Sequence, residues 1–114
     1  FVTGYFESKK FNKKIYYRSS YELRAMQILE DDENVISFND NSMKIKYEYL
    51  GNTHNYIPDF VVLYRDKQQT IIEVKPLSVL ERDFKVKAKT IAGKLYASEN
   101  NFIYKIWTEK DLSL

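Results

Sequence analysis

Apolar and polar positions alternate along this chain in two periods, and each change of period marks an element. From Ser19 the spacing is helical, with Leu23, Met26, Ile28 and Leu29 around Ala25 forming one apolar stripe. Ser19 precedes Glu22 by three residues, the capping-box spacing in which each side chain satisfies a free backbone N–H of the other. The run Glu30-Asp31-Asp32-Glu33-Asn34 closes the helix, because acids at a C-terminus oppose the macrodipole. Val35–Phe38 reads as a short strand, residues 39–42 as a turn, and Met43–Tyr49 as a half-exposed strand with Lys44, Lys46 and Glu48 in water. Leu50–His54 reads as the next turn, with His54 a solvated turn residue lacking an orienting partner.

The centre of the pattern is a pair of apolar runs, Ile57–Tyr64 and Thr70–Lys75, joined by the polar turn Arg65–Gln69. Pairing Tyr64 with Thr70 sets Asp59 opposite Lys75 and Val61 opposite Glu73. Alternation then lines one face with Phe60, Val62, Tyr64, Ile72 and Val74. Val61, Leu63 and Ile71 share the other face with Asp59, Glu73 and Lys75. Apolar residues on both faces predict strands covered on both sides, and Pro76 ends the ladder by removing a donor. Beyond it, a helix is predicted from Leu80 to about Ala97, with Phe84, Ala88, Ile91 and Leu95 facing the core. Arg82, Lys85, Lys87, Lys89 and Lys94 make the rest of that helix basic. A strand over 102–107 and a helical turn opening at Thr108 complete an α/β chain with a mixed sheet between helices.

Composition narrows the class. A chain of 114 residues makes one domain, and balanced charge (18 basic against 16 acidic, net +2) confines any attraction to nucleic acid to local clusters. The clearest cluster is residues 1–18, a loop or loose strand pair in which Lys9, Lys10, Lys13, Lys14 and Arg18 interleave with Tyr and Phe. It reads either as a phosphate-contacting arm with stacking aromatics or as a solubilised edge over the core. Absence of Cys excludes disulfides and thiolate metal sites and is compatible with a reducing cytosol. No apolar run approaches a signal segment or membrane span. The chain starts at Phe1 without a Met, as a trimmed fragment would.

Two carboxylates and an ammonium on one face of a Val/Ile-rich strand pair call for a reason. Phosphodiester hydrolysis needs an activated water, neutralisation of charge growing on phosphate, and a stabilised leaving alkoxide. A hard cation such as Mg²⁺ supplies these through oxygen ligands. Asp59 and Glu73 suit as its carboxylates and the Val74 carbonyl as a third oxygen, with Lys75 directed at the same site to orient water or neutralise the phosphorane. The bland alternative is a surface ion-pair group, each pair worth under about 1 kcal/mol. Glu22 is open to two readings, helix cap or active-site acid.

Tyr17-Arg18-Ser19-Ser20-Tyr21-Glu22, Ile57-Pro58-Asp59-Phe60 and Ile72-Glu73-Val74-Lys75-Pro76 together resemble the PD-(D/E)XK nuclease superfamily. Within it they are most similar to the TnsA-type branch of transposon end-cleaving and tailed-phage head-completion endonucleases. The resemblance covers nearly the whole chain and implies a restriction-endonuclease-like αβββαβ core over 19–110. It implies metal-dependent DNA cleavage, with Asp59 and Glu73 as Mg²⁺ ligands, Mn²⁺ substituting, and Lys75 as the catalytic lysine. Glu22 becomes the helix-borne acid that completes the metal site or positions a water. Double-stranded DNA would lie across this face, flanked by the 9–18 arm and by Lys85 and Lys89. A homodimer or a partner from a phage or transposition complex, in a bacterial or infected-cell cytoplasm, fits the same family. In transposon enzymes Gln often precedes x-Lys where this chain has Glu73. The chain also ends about where those enzymes continue into a partner-binding domain, which weakens the transposase-subunit reading. The rival expectation is a non-catalytic DNA-binding or assembly module that keeps the fold.

Overall fold

The computed structural model describes residues 2–39 and 43–114, so of the expected 39–42 turn only Asn39 falls within it. The elements run β1 Gly4–Ser8, β2 Lys13–Tyr17, α1 Ser20–Asp31, β3 Val35–Phe38, β4 Ile45–Tyr49, β5 Asn52–Tyr56, β6 Phe60–Tyr64 and β7 Gln69–Val74. They continue with α2 Leu77–Arg82, α3 Phe84–Asn100, β8 Ile103–Trp107 and α4 Glu109–Leu112. A mixed four-stranded sheet in the order β3-β6-β7-β8 is the centre, antiparallel except for the parallel β7–β8 pair that α3 connects. Taken along the chain, α1, β3, β6, β7, α3 and β8 give the expected αβββαβ order. The β4–β5 hairpin is inserted between β3 and β6 as a separate two-stranded sheet.

Covering both faces of the sheet creates two cores. Ala25, Met26 and Leu29 of α1 close over Phe38, Phe60, Val62, Ile72 and Val74 on one side. Ile45, Tyr47 and Tyr56 of the β4–β5 hairpin join Ile71 and Ala97 on the other. The predicted faces of β6 and β7 therefore hold. Their register does not: Val61 pairs with Ile71 and Val62 with Thr70, two residues from the expected alignment. The cause is a tighter loop. Tyr64 N–H donates to the Gln68 carbonyl at 3.0 Å and Lys67 N–H to the Tyr64 carbonyl at 2.9 Å, leaving three loop residues. Lys67 takes the left-handed conformation (φ 69°) that closes such loops. A shift of two preserves the alternation, so every side chain keeps its face.

Three further expectations are corrected. Asn52–Tyr56 is a strand rather than a turn, and His54 lies in it, its ring stacked on Tyr47 at 5.3 Å. Its polar sequence hides it because only Tyr56 reaches the core. Of the two forms expected for the basic N-terminal stretch, Gly4–Ser8 and Lys13–Tyr17 take the strand pair, which is docked as an edge over the core rather than loose. Glu30 accepts from Ser8 Oγ at 2.7 Å and from the N–H groups of Lys9 (3.0 Å) and Lys10 (3.1 Å), while Phe6, Phe11, Ile15 and Tyr17 rest on the first core. The basic helix is two helices, because Asp83 is extended (ψ 109°) and its carboxylate accepts from Val86 N–H at 3.1 Å to start α3. That start turns Gly93 and Ala97 to the sheet, leaving Phe84 73%, Ile91 70% and Leu95 59% exposed. Of the stripe expected in the core, only Ala88 packs against it. No helix among the described residues is long and apolar enough to cross a membrane.

Candidate active site

The site forms where β6 begins and β7 ends. Extending the ladder past Phe60–Ile72 brings Asp59 level with Glu73. Backbone groups released by the end of the pairing are taken up by these side chains. Asp59 N–H donates to Glu73 Oε2 at 3.4 Å, and Val74 N–H donates to Asp59 Oδ2 at 2.8 Å. Lys75 Nζ is 3.4 Å from the same Asp59 oxygen, a charge-assisted contact. The structure thus brings together Asp59, Glu73 and Lys75 as the sequence expects, although Asp59 faces Glu73 rather than Lys75.

Burial decides how this group differs from a surface ion-pair cluster. Glu73 is only 8% exposed, and its Oε1 is buried without a hydrogen-bond partner. Burial first, and the neighbouring Asp59 charge second, push its pKa up to about 8. Tyr56 and Tyr104 stand around it, and burial together with the Glu73 charge pushes both phenols up. Tyr56 hydroxyl donates to the Lys89 carbonyl on α3 at 3.2 Å and stands beside the Glu73 carboxylate. The sequence reading did not single out either tyrosine. The parallel pairing of Ile71 with Tyr104 and of Glu73 with Ile106 sets Tyr104 on the Glu73 face, but that register is invisible before β8 is placed.

The remaining candidates distribute unevenly. A cleft of about 260 Å³ joins Asp59 to Glu22, Arg18 and Tyr16. Glu22 lies across it, with its N–H on Ser19 Oγ (3.1 Å) and its Oε1 accepting from Arg18 N–H (3.0 Å). It is a cap displaced by one residue from the ordinary box. Among the described residues no trio of His, Asp or Glu is gathered as metal ligands would be, so Glu22 is not brought up to Asp59 and Glu73. Arg18 lies over the Tyr16 ring at 5.3 Å. Lys75 and Lys89 line a smaller pocket with both carboxylates. Lys85 is exposed in the first turn of α3. Lys9 and Lys10 sit at the other end of α1 from Glu22, where Lys10 Nζ donates to the Asp32 carbonyl at 2.6 Å. Lys13 donates to the Phe38 carbonyl at 3.2 Å, and Lys14 pairs with Glu7 at 3.7 Å.

Asp59 and Glu73 have the oxygen-only chemistry that a hard divalent cation takes, but among the described residues no third acid joins them. Two oxygen-only carboxylates in contact, one with an orphaned buried oxygen and a raised pKa, lack a positive charge that the single lysine does not fully supply. The family comparison covers the same ground. A model described as "TnsA-like endonuclease N terminal" matches residues 32–109, more than half of the chain, including Asp59, Glu73 and Lys75 but not Glu22. A comparison with curated proteins returned no match. The chain belongs to the TnsA-like endonuclease N-terminal family.

Proposed function

We propose that this domain is a divalent-metal-dependent endonuclease that hydrolyses phosphodiester bonds of double-stranded DNA, with a place in a phage or mobile-element process. The observation that carries it is Glu73: a buried carboxylate with an unpartnered oxygen, held against Asp59 by the backbone. Two carboxylates held this close cannot both ionise without a cost to stability, and the raised pKa of Glu73 is that cost. Asp59, Glu73 and the Val74 carbonyl would hold Mg²⁺, or Mn²⁺ in its place. When bound, the ion supplies charge neutralisation at the phosphate and a more acidic water. Lys75 donates to Asp59 through one N–H and keeps its other donors for a phosphate oxygen or the attacking water. Glu22, fixed across the cleft by its cap bonds, positions a water or the DNA end rather than ligating the ion.

Nicking and linearisation of supercoiled plasmid with Mg²⁺ or Mn²⁺ tests this. Asp59→Ala and Lys75→Ala should each lower the rate about 10²–10³-fold with folding intact. An inactive wild type, or equal cleavage by all three proteins, would overturn the assignment. The separation of Glu22 from the two other acids favours the second reading, a DNA-binding or assembly module without catalysis. DNA binding without cleavage by the wild type would select it.

A further inference from the structure

We infer that the β4–β5 hairpin is a positioning element for Lys89: the rings of Tyr47 and Tyr56 hold its ammonium ready for a phosphate of the DNA that crosses the carboxylates. The inference rests on the nuclease assignment. The hairpin is inserted between β3 and β6 and supplies neither carboxylate nor Lys75. What it places is a pair of buried rings. Tyr47 on β4 and Tyr56 on β5 meet edge to face with centroids 5.8 Å apart, and His54 stacks against Tyr47. Lys89 Nζ lies 5.6 Å from the Tyr47 centroid and 5.7 Å from the Tyr56 centroid, within cation–π reach of both. The backbone of the same residue is tied as well, since the Tyr56 hydroxyl donates to the Lys89 carbonyl at 3.2 Å. One tyrosine thus locates both ends of Lys89. Gly93, a turn further along α3, leaves room for it, because a Cβ there would come within 2.5 Å of that hydroxyl.

The charge is placed rather than neutralised. Lys89 shares a pocket with Asp59, Glu73 and Lys75, yet among the described residues its ammonium has no carboxylate partner, while Lys75 takes Asp59. Ring faces attract a cation without cancelling its charge, so the ammonium stays available to an anion. A lysine whose stem only covers apolar surface carries its head out to water. Lys87, over the 73% exposed ring of Phe84, is that ordinary case. Lys89 is instead half-buried against two buried rings. Holding the side chain in this way removes in advance rotamer freedom that a phosphate contact would otherwise have to remove. The inserted hairpin thereby acts on the site through Lys89, without touching the scissile phosphate.

The test is a double-mutant cycle on binding of a fluorescein-labelled DNA duplex in chelator, read by anisotropy. Tyr47→Leu removes the ring, keeps an apolar side chain, and should weaken binding about threefold to tenfold. In a Lys89→Ala background the same substitution should cost nothing further, because the lysine it positions is gone. Tyr47→Phe keeps the ring and should restore wild-type affinity. Losses that add in the double variant, wild-type affinity in Tyr47→Leu, or a Tyr47→Phe protein as weak as Tyr47→Leu overturns the inference. Because Tyr47 lies in the core, NMR of the wild type gives a second measurement that needs no folded Leu variant. Ring currents should shift the Lys89 Cε protons upfield, assigned by their loss in Lys89→Ala, and added duplex should move them again. Random-coil shifts for those protons, or no response to bound duplex, overturns it as well. A wild type that cuts plasmid while the two losses add overturns this inference alone. One that neither binds nor cuts duplex DNA overturns it together with the nuclease assignment.

Discussion

Burial and the Asp59 charge both disfavour an ionised Glu73 in the folded chain, whereas the unfolded chain ionises it near the ordinary value of 4.5. Between 4.5 and about 8 the folded state accordingly holds the extra proton. Stability then falls as pH rises across that window and levels off above it. Denaturant unfolding in chelator should show a loss on the order of a few kcal/mol from pH 5 to 9. Glu73→Gln keeps the shape and removes the ionisation, so it should flatten the slope and be the more stable protein at pH 9. A slope identical in both proteins would place the titration elsewhere. Mg²⁺ should flatten the wild-type slope as well, since a cation at the pair displaces the proton. The pair Asp59 and Glu73 was legible in the sequence because alternation alone sets it on one face. The orphaned Oε1 was not, because it depends on how Tyr56 and Tyr104 close over Glu73 in the assembled fold.

At the scale of elements, the strand faces and the inward stripe of α1 were readable and the orientation of α3 was not, for a physical reason. A strand has two faces, and a register error of two leaves them unchanged, so β6 and β7 survive a misplaced turn. A helix can turn any side inward. In α3 the large apolar residues point out, because the sheet side is already filled by tyrosines. A Cβ on Gly93 would come within 2.5 Å of the Tyr56 hydroxyl and 2.6 Å of the Tyr104 ring. Small residues win that face although they bury little. Gly93→Ala should therefore destabilise by about 1–3 kcal/mol through overpacking, against roughly 1 kcal/mol of helix propensity gained. Calorimetry checks it. Adding Tyr56→Phe should recover part of the loss, since the hydroxyl is the nearest atom, and not all of it, because Tyr104 remains. A stabilised Gly93→Ala protein would mean that the tyrosines shift freely and that α3 is not pinned over the site.

For the whole molecule, a net charge of +2 leaves DNA attraction to the placement of a few side chains. The candidates divide by position and by engagement. Arg18 borders the cleft that holds Asp59, and Lys89 shares the pocket with Asp59, Glu73 and Lys75. Lys10 lies past the C-terminal end of α1, bonded to the Asp32 carbonyl beside the acids Glu30, Asp31 and Glu33. A duplex over the carboxylates would pass Arg18 and Lys89 and miss Lys10. In chelator, where no cleavage occurs, Arg18→Ala and Lys89→Ala should weaken binding of any duplex sequence and reduce the slope of log K against log salt by about one each. Lys10→Ala should leave both affinity and slope unchanged. Since each contact is a phosphate neutralised, the salt slope distinguishes loss of contact from loss of fold, which would lower affinity without changing the slope in unit steps. Equal effects of Lys10→Ala and Arg18→Ala would carry the DNA path along the whole 9–18 flank that the sequence predicts beside the carboxylates, rather than past Arg18 alone.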